Sequence, residues 1–295
     1  MTDVVVSTRT GLDSVEAALL DAVDLLGADD AGEPVVCARV LQVVAQRSGA
    51  DPRDAYARLV RRGVPWSVHL PLVELLGNAG SRDAGPADPE QVDVRLSPVG
   101  ALALASERQE VGPVPLGLVE GTLFRGGAHP PYDPASVVGA LLAGRADLGP
   151  PALPTGCEIS GDLAGLRAGR EVTLTVDSTI RAEGGHLVIT AIPYGVGPEQ
   201  LHDTVRDARA ALLAAHETCP MRRIEDESSI VDGVRLYVEP ERGADLRDLR
   251  DWLLRIRPVH RRLVCRLPAP LPELMAGWER EDGSGLRALA DLLRG

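Results

Sequence analysis

Hydrophobic periodicity changes once along this chain, and that change limits the folds open to it. Before a Pro-rich stretch at 149–154 the apolar residues recur at helical spacing; beyond it they alternate as strands do. In residues 12–26, LDSVEAALLDAVDLL, one stripe carries Leu12, Val15, Leu19, Ala22, Val23 and Leu26, with Asp13, Glu16, Asp21 and Asp24 mostly opposite. Residues 36–47 read as a second helix. Asp51 and Pro52 open a third over 53–62, proline suiting a first helical position. Three short helices in succession suggest a helix-turn-helix or winged-helix module. Residues 77–89, rich in Gly, Asp, Pro and Ser, read as a loop, and further helices are predicted over 96–105 and 134–144.

Past the linker, EVTLTVDS (171–178) alternates and 187–192 is β-branched, with Gly184-Gly185 predicting the hairpin turn between them. A helix over 198–215, a strand over 234–239, a helix over 246–255 and a strand over 263–267 follow. The expected class is α+β, with a winged-helix domain over 1–148, an α/β domain over 149–280, and a linker and amphipathic helix over 281–295. That last helix, 286–293, is expected to cap the core of the second domain, with docking on a partner as the alternative.

Composition narrows the partners. Aromatic residues make up only 3%, so the core has to be built from Leu, Val and Ala, and all 31 basic residues are Arg. The formal net charge is −12. Proteins whose main task is to hold the DNA backbone usually present a basic surface, so the balance points to protein partners, basic surfaces or small molecules. No run reaches the ~20 apolar residues of a membrane span, and the first ten residues lack a signal-peptide core, so a cytoplasmic protein without membrane contact is expected. Cys37, Cys157, Cys219 and Cys265 lie far apart with no CxxC or Cys/His cluster. Reduced, mostly buried thiols are expected, with no zinc and no cofactor.

Many segments, taken in order, resemble the breakage-reunion region of the A subunits of bacterial type IIA topoisomerases, DNA gyrase and topoisomerase IV. GLDSVEAALLDAVDLLG (11–27) resembles the family's first helix and CARVLQVVAQ (37–46) the helix beginning Ser-Ala-Arg-Val. Residues 54–85 resemble the recognition helix and the loop after it. VRLSPVGALAL (94–104) resembles the helix following the catalytic tyrosine; PLGLVEGTL (115–123) and HPPYDPASVV (129–138) resemble the stretch ending in Ile-Pro-Pro-His. LPTGCEISG, ITAIPYGVGPEQL and RIEDESSIVDGVRLYVE resemble the family's tower. The likeness covers nearly the whole chain in the family's order. It implies a winged-helix domain followed by a tower-like domain, dimerising around the helix-turn-helix face. After Trp278 only a linker and one helix are expected, with no coiled-coil gate.

The resemblance also shows what chemistry is missing. The family cleaves DNA with a tyrosine hydroxyl that becomes a covalent phosphotyrosine, an adjacent arginine steadying the phosphate. The matching segment here is Glu90-Gln91-Val92-Asp93-Val94-Arg95-Leu96, so Gln91 replaces the tyrosine and Glu90 the arginine. An amide is no nucleophile for this step, and a carboxylate repels the scissile phosphate. Tyr56, Tyr132, Tyr194 and Tyr237 all fall elsewhere, where packing with a partnered hydroxyl is the expected role.

Features that grip DNA are eroded in parallel. The family's His-Pro-His-Gly-Asp turn becomes Ser48-Gly49-Ala50-Asp51-Pro52, its Val-His-Arg-Arg becomes Val15-Glu16-Ala17-Ala18, and its Lys-Lys becomes Val35-Val36. The loop that wedges between base pairs is trimmed to Phe124-Arg125-Gly126-Gly127. Arg39, Arg58, Arg61 and Arg62 form a candidate phosphate-binding face, with ordinary solvated arginines as the alternative. The serine and aspartate that anchor quinolones in the family fall at Arg53 and Ala57. Three binding roles follow: a regulator or decoy of DNA gyrase or topoisomerase, a sink for a gyrase-targeting small molecule serving self-resistance, and residual, weak DNA binding. A non-cleaving pseudoenzyme is expected in each.

Overall fold

The computed structural model describes residues 7–123, 127–229, 233–279 and 282–294. Its first helices begin where local chemistry directs. Helix α1 (Ser14–Leu25) starts at Asp13, whose carboxylate accepts the N–H groups of Val15 and Glu16 while the Glu16 carboxylate accepts the Asp13 N–H. This reciprocal box satisfies donors that a helix end otherwise leaves orphaned, and such a cap is worth about 1 kcal/mol. Strand β1 (Val35–Val36) leads into α2 (Cys37–Ser48), and α3 (Pro52–Gly63) opens on Asp51 with proline at its start. Strands β2 (Val73–Gly77) and β3 (Val92–Leu96) complete an antiparallel sheet in the order β1-β3-β2, Val35 facing Val94 and Val73 facing Leu96. Strand β3 buries Val92, Val94 and Leu96, every second residue, against the helices.

Helices α4 (Pro98–Glu107), α5 (Leu116–Glu120) and α6 (Pro134–Leu142) follow, then β4 (Glu158–Gly161), α7 (Leu163–Arg167) and β5 (Val172–Asp177). The alternating segment that predicted a hairpin with 187–192 pairs otherwise. Strand β5 lies in the centre of a sheet β10-β5-β4, with β10 (His260–Cys265) on its far side. Past Ser178 the chain enters a third sheet as β6 (Thr179–Glu183), turns through Gly184 and Gly185 at φ +55° and +86°, and returns as β7 (His186–Ala191). Strand β6 escapes a sequence reading because Ile180 is its only buried side chain. That sheet has the order β6-β7-β9-β8, with β8 (Met221–Asp226) and β9 (Leu236–Pro240). Helices α8 (Pro198–Ala214) and α9 (Leu246–Leu253) pack on it, and α10 (Leu271–Glu279) and α11 (Ser284–Leu292) end the chain.

The α+β class expected from the sequence is observed. Apolar contacts form two clusters. One runs from Leu12 through β5 to Cys265 and on to Leu289; the other holds Ile180, Ile189, Leu201, Val238 and Leu249, and ends at Val259. The C-terminal helix sits differently from the expectation. Helix α11 packs on α4 and α6, burying Leu289 and Ala290 in the first cluster, and Ser284 Oγ accepts the Gly112 N–H at 2.7 Å. Its apolar face joins the first cluster through α4 and α6 rather than the four-stranded sheet. No helix among the described residues is long and apolar enough to cross a membrane.

Candidate functional site

Glu90 and Gln91 are exposed at the end of the 78–91 connection, immediately before β3. The connection is pinned at several points. The Gln91 N–H donates to Asp88 O at 2.8 Å, Ala38 N–H to Pro89 O at 3.0 Å, and the Tyr56 hydroxyl to Ala87 O at 2.7 Å. Glu90 borders a shallow groove floored by Ala38, Leu41 and Ala45 of α2. The position that would need a nucleophile therefore holds a carboxamide next to a carboxylate, both facing solvent. Burial pushes the Tyr56 phenol up to about 12, so it stays protonated. Tyr194 lies beneath Arg261, 5.1 Å from guanidinium carbon to ring centre, and Tyr237 packs on His186 with ring centres 4.6 Å apart. Tyr132 departs from the expectation of a partnered hydroxyl. Its side chain is buried, its hydroxyl has no hydrogen-bond partner among the described residues, and burial holds its pKa at about 12.

The arginines singled out from the sequence separate into three kinds. Arg39 and Arg53 are exposed and make no ion pair among the described residues. Arg58 and Arg62 are committed to carboxylates of α1. Arg58 bridges Asp13 and Asp54, the latter at 2.7 Å, and Arg62 holds Glu16 at 2.8 Å with both side chains buried. Burial opposes the Arg62 charge, yet Glu16 and Glu120 keep it protonated and push its pKa above the ordinary arginine value. The Glu120 carboxylate accepts N–H groups of His69 and Leu70 at 3.1 and 2.9 Å, and His69 Nε2 lies 2.9 Å from Ala152 O. These two arginines thus tie α3 to the first turn of α1, with Glu120 of α5 adding its field at Arg62; neither a free phosphate-binding face nor a solvated surface describes them.

Arg61 is the third kind. It is partly buried, without an ion pair among the described residues, at the rim of a cleft of about 200 Å³ together with Trp66, Ser67, Ser81, Arg82, Thr155, Tyr194 and Val196. Sequence reasoning missed Arg82 and its neighbours. The signal was slight: one Arg-Asp pair in the small-residue run GNAGSRDAG. Asp83 explains how the cleft is shaped. Its carboxylate accepts the Glu199 and Gln200 N–H groups at the start of α8, at 3.2 and 3.3 Å, where the helix dipole favours an anion. A Cβ at Gly197 would lie 1.7 Å from the Asp83 carboxylate, so only glycine admits this contact. The four cysteines are free and buried, and burial pushes Cys37 up to about 12 and Cys157 and Cys265 to about 11. None is a thiolate near neutral pH. The trimmed wedge loop falls on 124–126, outside the described residues.

No protein-family model matches the chain. Over 95 residues, 32% of its length, it is 30% identical to the topoisomerase subunit TopoM of Mycolicibacterium smegmatis. That stretch corresponds to 13% of TopoM, so the chain spans a small part of the relative it matches. The likeness supports a relationship to topoisomerase subunits and does not single out the gyrase A subunit.

Proposed function

We propose that this chain is a non-cleaving relative of type IIA topoisomerase A subunits that acts by binding, as a regulator or decoy of DNA gyrase or topoisomerase. The observation that carries the reading is the Glu90-Gln91 pair at the position matching the family's Arg-Tyr. A carboxamide cannot form the phosphodiester intermediate, and the adjacent carboxylate opposes the charge that develops on the phosphate. The order α1-β1-α2-α3-β2-β3, with sheet order β1-β3-β2 and the 78–91 connection as wing, supports the winged-helix assignment. The four-stranded sheet with α8 and α9 is the part assigned to the tower. Neutralisation of Arg58 and Arg62 by Asp13 and Glu16 supports weak or absent DNA binding, and the charge of −12 supports an acidic face that competes with DNA for a basic partner.

Two assays test this. Incubation with supercoiled plasmid and Mg²⁺ should leave no protein-linked DNA after denaturation. Titration into a gyrase supercoiling reaction should lower the rate as the chain approaches stoichiometric excess. Covalent complexes would end the non-cleaving reading, and an unchanged supercoiling rate would end the regulator reading.

A second reading, capture of a gyrase-targeting small molecule, is favoured by a separate cavity. It measures about 790 Å³ and is lined largely by apolar groups, among them Leu118, Leu267, Leu274 and Trp278, with Arg266 and Glu273 as polar anchors. That size suits a drug-sized ligand. A thermal-shift screen of gyrase inhibitors, with Trp278→Ala as the control, decides it.

A further inference from the structure

We propose that the cleft between the C-terminal end of α3, the 78–91 connection and the loop before α8 binds a phosphoryl group, with Arg61 and Arg82 as its cationic donors. The argument begins with charge. The chain has more acidic than basic residues, and most of the arginines near this face are paired with carboxylates. Among the described residues Arg61 makes no ion pair or hydrogen bond, and Arg82 makes only a long contact from Nη1 to Ile192 O at 3.5 Å. Burial lowers the pKa of both, outweighing the pull of Glu16 and Asp54 on Arg61 and of Cys157 and Asp83 on Arg82, which marks guanidinium groups partly withdrawn from water. Unpaired, desolvated charge is costly, and an anion in the cleft removes that cost.

The remaining lining supplies neutral donors. Ser81 Oγ already accepts the Asp83 and Ala84 N–H groups, at 3.2 and 3.0 Å, which leaves its own proton to donate. Thr155 is buried, and its hydroxyl, close to the Cys157 thiol, makes no hydrogen bond to oxygen or nitrogen among the described residues. Ser67 completes the set. Two guanidinium forks and three hydroxyls offer more donors than the roughly four lone-pair sites of a carboxylate, so a tetrahedral oxyanion fits better. The volume of about 200 Å³ falls below that of drug-sized sites and admits a phosphate with a short substituent. Asp83, which acts on Arg82 electrostatically, makes no ion pair with it among the described residues, and its carboxylate accepts the α8 amides instead.

The phosphoryl group can come from a free phosphate ester or from a nucleic-acid backbone, and the test separates them. Inorganic phosphate, phenyl phosphate and a short DNA duplex are each titrated into the full chain by calorimetry at constant ionic strength, with chloride as the control anion. Saturable phosphate or phenyl phosphate binding is expected, at least about tenfold weaker in Arg61→Gln and Arg82→Gln and unchanged in Arg39→Gln and Arg53→Gln. Duplex binding weakened by the same two substitutions, with no response to the small phosphates, assigns the phosphoryl group to a nucleic-acid backbone. Circular dichroism of each variant controls for folding, and Arg82→Lys should keep part of the affinity. The proposal is overturned if none of the three probes binds saturably, if chloride competes equally, or if binding ignores Arg61 and Arg82.

Discussion

Arg62 lies deep in the structure, and its charge is answered by Glu16 of a helix 46 residues away and by the electrostatic pull of Glu120. Removing one member of such a group leaves the others buried without compensation, which costs about 3–5 kcal/mol. Arg62→Ala is therefore expected to lower unfolding free energy by that amount in urea titrations. A Glu16→Gln/Arg62→Met double variant should lose less than the sum of the two single changes, because they share one interaction. Additive losses would show that the pair is not coupled. Glu120 adds a pH signature. Burial pushes its carboxyl above the ordinary 4.5, against the pull of Arg62 and the Leu70 N–H. As pH rises, the unfolded chain gives up this proton before the folded one does. The contribution of Glu120 is thus complete below about pH 4.5 and is lost as pH climbs through its folded pKa. Relative to Glu120→Gln, the wild type should lose stability steadily from pH 4.5 upward; a difference that is flat or grows with pH would refute this assignment. None of this was readable from the sequence. The arginines stood out as candidates, but whether each is free depends on partners brought together only by packing.

At the scale of elements, local chemistry made the first helices legible, and long-range pairing hid several strands. The apolar stripe over 12–26, and Asp51 with Pro52, mark starts that the structure keeps to within a residue or two, the Asp13–Glu16 box emerging only in the structure. Strand β2 buries only Val73 and β6 only Ile180, so alternation does not give them away, whereas the alternating run of β3 is passed over beside the helix predicted from 96. The hairpin turn at Gly184-Gly185 was found while its first strand was misassigned, because β5 and β6 run on in sequence but join different sheets. The C-terminal helix shows the same limit: its apolar face was plain, its binding surface was not. Leu289 is fully buried against the first cluster. Leu289→Ala should cost about 2–5 kcal/mol, and the loss of hydrogen-exchange protection should fall on α4 and α6. Loss confined to β6–β9 would contradict the observed docking.

The arrangement of the whole molecule follows from two crossings of the chain between its apolar clusters. The sequence changes periodicity at 149–154, whereas the clusters part at Ser178 and meet again at Val259. Those crossing points are adjacent, since the Ser178 N–H donates to Val259 O at 2.9 Å. The four-stranded sheet, α8 and α9 therefore form a loop of structure that leaves the first cluster and returns to it at one place, with its own core of Ile189, Leu201, Leu236, Val238 and Leu253. An element set with its own core and neighbouring ends meets the physical requirements for independent folding. Expressed alone, residues 178–259 are expected to unfold in one cooperative urea transition with a sheet-and-helix circular dichroism spectrum. A non-cooperative melt would mean that the core depends on the contact made by Asp83 with the start of α8. That contact and the Arg61–Arg82 cleft lie on the same seam. A ligand there touches Arg61 and Arg82 on one side and Tyr194 and Val196 on the other, so its binding is expected to raise the stability of the full chain and to leave the isolated 178–259 unit unchanged.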